Sequence, residues 1–374
     1  MNIFEELNLH RYINAQDTFT KYGASCMSEG SLRAMYEISR YCVDLYEVQE
    51  KTGDAIARLT HNEAAYISNG AAGALQECAA SVLALDSEEV FHKLPETGER
   101  CEILMQRAQH NMYDRSMAAA GAKIVYAGGE TRAPSAEEFE AAITERTAAV
   151  AYVIYFGREH SLPLETVVEI AHRHGLPVIV DAAAQNPPAE NLWRFTGMGA
   201  DMVIFSGGKT MRGPQDSGLV LGGREWINRL RRWGPPTDGV CRGCKTSREA
   251  MVGLYVAVKE YLAVDGPARL AALNGYCDRF ERAMRECGFE TVWRVDEGPV
   301  GQKFPRSYAK MPFGSGRELC ALMRERGVYA GPYESDDMMI NPLMLTDEQV
   351  DVVCETLKEC MAEYKKEKSE NGSH

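Results

Sequence analysis

The 374-residue sequence has no apolar run approaching the roughly 20 residues that a membrane-spanning helix requires. Its opening, Met1-Asn2-Ile3-Phe4-Glu5-Glu6, shows neither the basic n-region nor the apolar h-region of a secretory signal. Positive charge is in deficit, with 41 Lys and Arg against 54 Asp and Glu and a formal net charge of −13. Nonspecific affinity for nucleic acid comes from cations that neutralise phosphates, so this balance argues against a nucleic-acid partner. Also missing are internal repeats, low-complexity tracts, a G-x-G-x-x-G turn after a strand, a Walker A loop and an H-E-x-x-H helix. Cys241-Arg242-Gly243-Cys244 has no second pair at zinc spacing, so it reads as a reduced loop pair and no metal is expected. The cysteines number 11, an odd count with no signal peptide, which predicts reduced thiols in the cytoplasm.

What is present is ordinary for a globular protein: 45% hydrophobic and 25% charged residues, which excludes disordered and collagen-like chains. At ~150 residues per domain the length allows about two domains. Two helical patterns lie between Glu29 and Leu59. Strands and helices then alternate: strands at Ala64–Ser68, Glu102–Gln106, Lys123–Tyr126, Thr147–Phe156, Pro177–Val180, Ala200–Phe205 and Leu219–Leu221, with helices at Gly70–Ala84, Tyr113–Ala120, Ala136–Ile143 and Leu164–His174. Unalternating Val- and Ile-rich strands are the mark of a parallel sheet covered on both faces, so the spacing predicts an α/β fold with a mostly parallel central sheet. Beyond Gly234-Pro235-Pro236 the pattern changes to long helices and short strands. We therefore expect a large α/β domain over 45–240 and a small α+β domain from 1–44 plus 241–374, with a frayed end over Lys365–His374.

Two strand ends carry the chemistry. Val178-Ile179-Val180-Asp181 ends an apolar strand on a carboxylate, and Val203-Ile204-Phe205-Ser206-Gly207-Gly208-Lys209 ends another on a hydroxyl, two glycines and an amine. Ligands of open α/β sheets bind outside the carboxyl ends of strands, so both groups face one rim. Alone, Asp181 reads equally as a turn residue and Lys209 as a solvated lysine. Together they match what pyridoxal 5'-phosphate (PLP) demands: an amine for a Schiff base with its aldehyde, and a carboxylate that keeps its pyridine nitrogen protonated. Gly207 and Gly208 would give the cofactor close approach. A third strand runs through Ser68-Asn69-Gly70-Ala71-Ala72 into a helix, whose N-terminal N–H groups suit a phosphate; tight strand–helix packing would use the same small residues.

Together with Ile13-Asn14-Ala15, Asp181-Ala182-Ala183-Ala184-Gln185 and Ser206-Gly207-Gly208-Lys209 followed by Arg212-Gly213-Pro214-Gln215, these residues resemble fold-type-I PLP enzymes (aspartate-aminotransferase-like). The specific likeness is to the group of selenocysteine synthase and D-glucosaminate-6-phosphate ammonia-lyase. The resemblance covers residues 10–225. It implies that Lys209 bonds the cofactor, Asp181 pairs with the pyridine nitrogen, and Asn69, Gly70, Ala71 and Ser206 hold the phosphate. It places Ala183 against one ring face and His110 on the other, although His110 also reads as an ordinary surface histidine. Arg212 is the candidate for an anionic group of the substrate or for a structural salt bridge, and Gln185, Gln215 and Lys21 are candidate substrate contacts. Asp17 and Lys21 depart from the Gly-rich, Arg-containing segment usual in relatives. Ile13-Asn14-Ala15 lies close to the first residue, leaving no room for the tRNA-binding extension of the synthase.

The activity implied is α,β-elimination on a small amino acid or amino-sugar acid, with ammonia release to a keto product, in a homodimer or higher homo-oligomer. The alternatives are an amino-acid racemase or epimerase, and a selenium transferase-like or non-catalytic tRNA- or protein-binding homologue.

Overall fold

The computed structural model describes residues 2–154, 157–298, 300–331 and 336–371, which form two compact units. The larger spans 25–263, and the smaller combines 1–24 with 264–374. The division thus falls about twenty residues from the expected boundaries at 44/45 and 240/241. The reason is helix packing. Helix α1 (Glu29–Ser39) and α2 (Leu45–Leu59) both lie against α4 (Arg248–Ala263), and Ser31 donates its hydroxyl to the Gly253 carbonyl at 3.1 Å. All three helices therefore belong with the sheet.

The large unit is built on seven strands: β1 (Ala64–Asn69), β2 (Glu102–Gln106), β3 (Lys123–Ala127), β4 (Thr147–Val153), β5 (Val178–Asp181), β6 (Met202–Ser206) and β7 (Ser217–Gly222). Their order is β1-β7-β6-β5-β4-β2-β3, and β7 runs antiparallel to both neighbours while the other pairs are parallel. The expected mostly parallel sheet is present. The strand read to Phe156 ends at Val153, and residues 155–156 lie outside the described residues.

The continuous apolar runs have a direct cause. Successive side chains of a strand point to opposite faces. Val178 and Val180 enter one buried layer while Ile179 enters the other, and Val203 and Phe205 alternate with Met202 and Ile204 in the same way. Burying one such side chain contributes about 1.5–3 kcal/mol, so polar substitution is disfavoured on both faces. Polarity resumes only at the strand ends. Because β1, β5 and β6 all run in one direction, Asn69, Asp181 and Ser206 emerge on one rim.

In the smaller unit, Ile13–Asn14 pairs in parallel with Val328–Tyr329, and Val292–Val295, Arg306–Ala309 and Met338–Ile340 form an antiparallel sheet. Phe280, Met323, Val350 and Leu357 centre its core. The terminal segment expected to fray instead continues the helix Asp347–Asn371, and 372–374 lie outside the described residues. No helix among the described residues is long and apolar enough to cross a membrane.

Candidate active site

β5 and β6 are adjacent, with Asp181 opposite Ile204, and the two strand ends are tied through Ala183. Its N–H donates to Asp181 Oδ1 at 3.0 Å, and its carbonyl accepts from the Ser206 N–H at 3.2 Å. Removal from water pushes the Asp181 carboxyl up from its usual range. The Ala183 N–H and the Lys209 charge pull it down, and the Asp114 carboxylate adds to the rise. Lys209 is thus electrostatically coupled to Asp181.

The lysine sits in a turn fastened from several sides. Gly207 N–H donates to the Ser217 carbonyl, and Arg212 N–H to the Lys209 carbonyl. Ser25 donates to the Gly208 carbonyl and Thr210 to the Asn186 carbonyl, both at 2.8 Å. The glycines before the lysine are required by the protein's own backbone. A Cβ on Gly207 would lie 2.2 Å from Ser217 Oγ, and one on Gly208 2.5 Å from Gln215 Cα. The chain's own packing is thus reason enough for both glycines, whatever else approaches them.

The phosphate-type turn joins β1 to α3 (Gly70–Ala84). Gly70 has φ +64°, a left-handed value that glycine adopts without penalty. Among the described residues no side chain caps α3, and Asn69, at the cap position, donates its amide instead to the Lys245 carbonyl at 3.1 Å. The first N–H groups of this 15-residue helix are therefore left to an external acceptor. Ser206 Oγ likewise has no hydrogen-bond partner among the described residues. Between Asn69 and Ser206 runs the start of β7, with Asn69 opposite Ser217 and Ser206 opposite Gly218.

His110 follows β2 and is half-exposed. Its Nδ1 lies 2.6 Å from Asp114 Oδ2 and 2.9 Å from the Tyr126 hydroxyl, and Tyr126 itself donates to Asp114 Oδ2 at 2.8 Å. Asp114 is buried, at 5% exposure. Burial, then the Asp114 carboxylate, push the Tyr126 phenol up, so it remains a donor at neutral pH. The carboxylate is an acceptor, so the Nδ1 contact fixes the imidazole in place. Asp114 and Asp181 both line one void of about 10 Å³, the space a single water fills. Asp114 and Tyr126 had escaped sequence reasoning. The only local sign was the four-residue step from His110 to Asp114, which is helical spacing.

Arg212 is exposed and held at φ +60°, which costs a non-glycine residue roughly 1–2 kcal/mol. Its Nε donates to the Cys26 carbonyl at 2.8 Å, and no carboxylate pairs with it among the described residues. Gln185 is buried, with Nε2 3.4 Å from the Ile154 carbonyl, and Gln215 is exposed. Lys21 belongs to the smaller unit. Cys241 and Cys244 are buried beside α3, where Cys244 Sγ contacts Gln76 Oε1 at 3.4 Å. Burial, reinforced by buried Glu77, pushes both thiols up, Cys244 to about 12, which makes them poor nucleophiles. No cluster of potential metal ligands occurs among the described residues.

Residues 43–227 match the model of the DegT/DnrJ/EryC1/StrS aminotransferase family. A 5'-C-glycyluridine monooxygenase-decarboxylase from Streptomyces sp is 32% identical over 280 residues, 72% of this chain and 67% of that protein. D-glucosaminate-6-phosphate ammonia lyase from Salmonella typhimurium is 32% identical over 267 residues, 70% of each chain. A solved structure of D-glucosaminate-6-phosphate ammonia-lyase matches with a TM-score of 0.83 and 24% identity, covering 97% of this chain and 99% of that one.

Proposed function

Because the chain belongs to the fold-type-I PLP-dependent enzymes, in the group that includes D-glucosaminate-6-phosphate ammonia lyase and L-seryl-tRNA(Sec) selenium transferase, we propose that it catalyses α,β-elimination on a small amino acid or amino-sugar acid, releasing ammonia to a keto product. The observation that carries the site assignment is that the adjacent strands β5 and β6 deliver Asp181 and the Ser206–Lys209 turn to one rim, tied through Ala183. An uncapped helix start stands on the same rim.

The residues fit PLP. The free N–H groups of Gly70 and Ala71 and the Ser206 hydroxyl offer donors to its phosphate. Asp181 holds a proton on the pyridine nitrogen, whose positive charge satisfies the carboxylate in turn. When bound, PLP supplies an electron sink for the pair left behind as a bond to the amine-bearing carbon breaks. Lys209 is the residue that would hold the cofactor through its amine, and the same amine, when free, would be the base placed to take the α-proton. His110, held by Asp114, and Ala183 are the residues that would flank the cofactor ring. Asn69 would act by fixing the turn, through its side-chain amide on the Lys245 carbonyl, rather than by contacting the phosphate.

The assembly we propose is a cytoplasmic homodimer or higher homo-oligomer without nucleic-acid or membrane partners. Tyr36 and Tyr41 are each 65% exposed and Tyr46 54%, an apolar surface on and beside α1 and α2 suited to a second copy.

The test is incubation of purified holoprotein with 2-amino-3-hydroxy acids and amino-sugar acids in deuterated water, reading ammonia, keto product and α-deuterium. Stoichiometric ammonia and keto product supports elimination. Deuterium uptake without ammonia moves the assignment to a racemase or epimerase. A second reading is favoured by the equally similar monooxygenase-decarboxylase. Oxygen consumption with carbon dioxide release would establish it.

A further inference from the structure

A cleft of about 650 Å³ lies wholly within the smaller unit, in the size range of small-molecule sites. Its construction follows from the parallel pairing of Ile13–Asn14 with Val328–Tyr329, which brings Tyr12 beside Tyr329. The Tyr329 ring lies 4.5 Å from that of Tyr12 and 4.7 Å from that of Tyr22, centroid to centroid. Phe19 meets Tyr22 edge-on at 6.1 Å. Tyr12 and Phe19 remain more than a third exposed, so apolar ring surface borders the opening.

Three cations line the same cleft. Lys21 Nζ stands 4.8 Å from the Tyr22 centroid, and the Arg324 guanidinium 5.4 Å from that of Tyr329. Neither has a carboxylate partner among the described residues. Arg317 is 4.0 Å from Asp336 with a largely exposed side chain, and Glu325 is the one acid of the lining among the described residues. In a protein with a net charge of −13, unpaired cations over aromatic rings are a local reversal of sign. Anions enter such a site through charge, and a ring held against tyrosine adds stacking or CH–π contact.

We propose that this cleft binds a phosphorylated ring compound, with the phosphate on Lys21, Arg324 and Arg317 and the ring against the tyrosines. Two sources share that chemistry, a nucleotide and a sugar phosphate. All of its lining residues belong to the smaller unit, and neither Lys209 nor Asp181 is among them.

The test is calorimetric titration of the holoprotein with uridine monophosphate, glucosamine 6-phosphate and inorganic phosphate, compared with the Lys21→Ala/Arg324→Ala double variant. Arg324→Lys is the charge-retaining control, and retained cofactor absorbance shows that each variant is folded. At least one ring phosphate is expected to bind ten times more tightly than inorganic phosphate. The double variant is expected to lose at least tenfold, Arg324→Lys less. Preference for the nucleotide or the sugar phosphate identifies the source. Binding that is equal for inorganic phosphate, or unchanged in the double variant, overturns the proposal. So does dissociation of an oligomer by the double variant without any ligand binding, which would assign the face to a second copy of the chain.

Discussion

Asp181 is a carboxyl that its own fold drives toward the neutral form, and this gives a prediction with a definite sign. Its folded pKa lies above the usual value of 3.8, so its favourable contribution is present below that value and is lost as pH rises through the folded one. At neutral pH the cofactor-free protein therefore carries a penalty that a protonated pyridine nitrogen relieves. Asp181→Asn is expected to melt at a higher temperature than wild type when both are cofactor-free at pH 7, with the gap closing toward pH 4. The same variant with cofactor should lose on the order of 100-fold in turnover, as expected when a proton is no longer held where the reaction needs it. Asp114 acts through another residue. Asp114→Asn weakens a charge-assisted bond to His110, a loss of about 1.5–3 kcal/mol and so at least roughly 10-fold in kcat/KM. It should also shift the visible absorbance of the cofactor, a change that a purely structural role would not produce. Asp181 and Lys209 were legible because each ends an apolar run. Asp114 and Tyr126 were not, because their partnership joins the first residue of the helix after β2 to a residue of β3 that lies twelve positions on.

The element on which the site turns is the start of β7. Gly218 fits between β1 and β6, and a Cβ there would stand 2.3 Å from the Gly70 carbonyl oxygen and 2.4 Å from Ser68 Oγ. Gly218→Ala should cost about 1–3 kcal/mol in chemical denaturation, as overpacking does. By displacing the turn before α3 it should also weaken retention of the cofactor, read by dialysis and absorbance. From sequence, this strand is expected over Leu219–Leu221 only, which leaves Gly218 outside it. The element pattern was otherwise readable, because strands buried on both faces must be apolar throughout. The helix starts were readable as well. Ser28, for example, caps α1 by accepting from the Ser31 N–H. The packing reason for Gly207 and Gly208 was not legible, because their crowding comes from residues 215–217, which return to the turn only in the folded chain.

For the whole molecule, the division into units depends on α1 and α4, which lie far apart in sequence and meet in space. No composition shift announces that meeting, and the sequence boundaries at 45 and 240 followed local composition instead. The proposed oligomer is a prediction at this scale. Sedimentation should give at least a dimer, and Tyr36→Glu with Tyr41→Glu should shift it toward monomer by placing charges on the exposed apolar surface. A monomeric wild type that is fully active would contradict it.

The account rests on Lys209 as the cofactor's anchor. Borohydride reduction of the purified holoprotein followed by peptide mass spectrometry reads that bond directly. A phosphopyridoxyl mass on the peptide containing Lys209, absent from Lys209→Ala, is the predicted result. The same mass on another lysine, or none on a protein that releases ammonia at the wild-type rate, would contradict it.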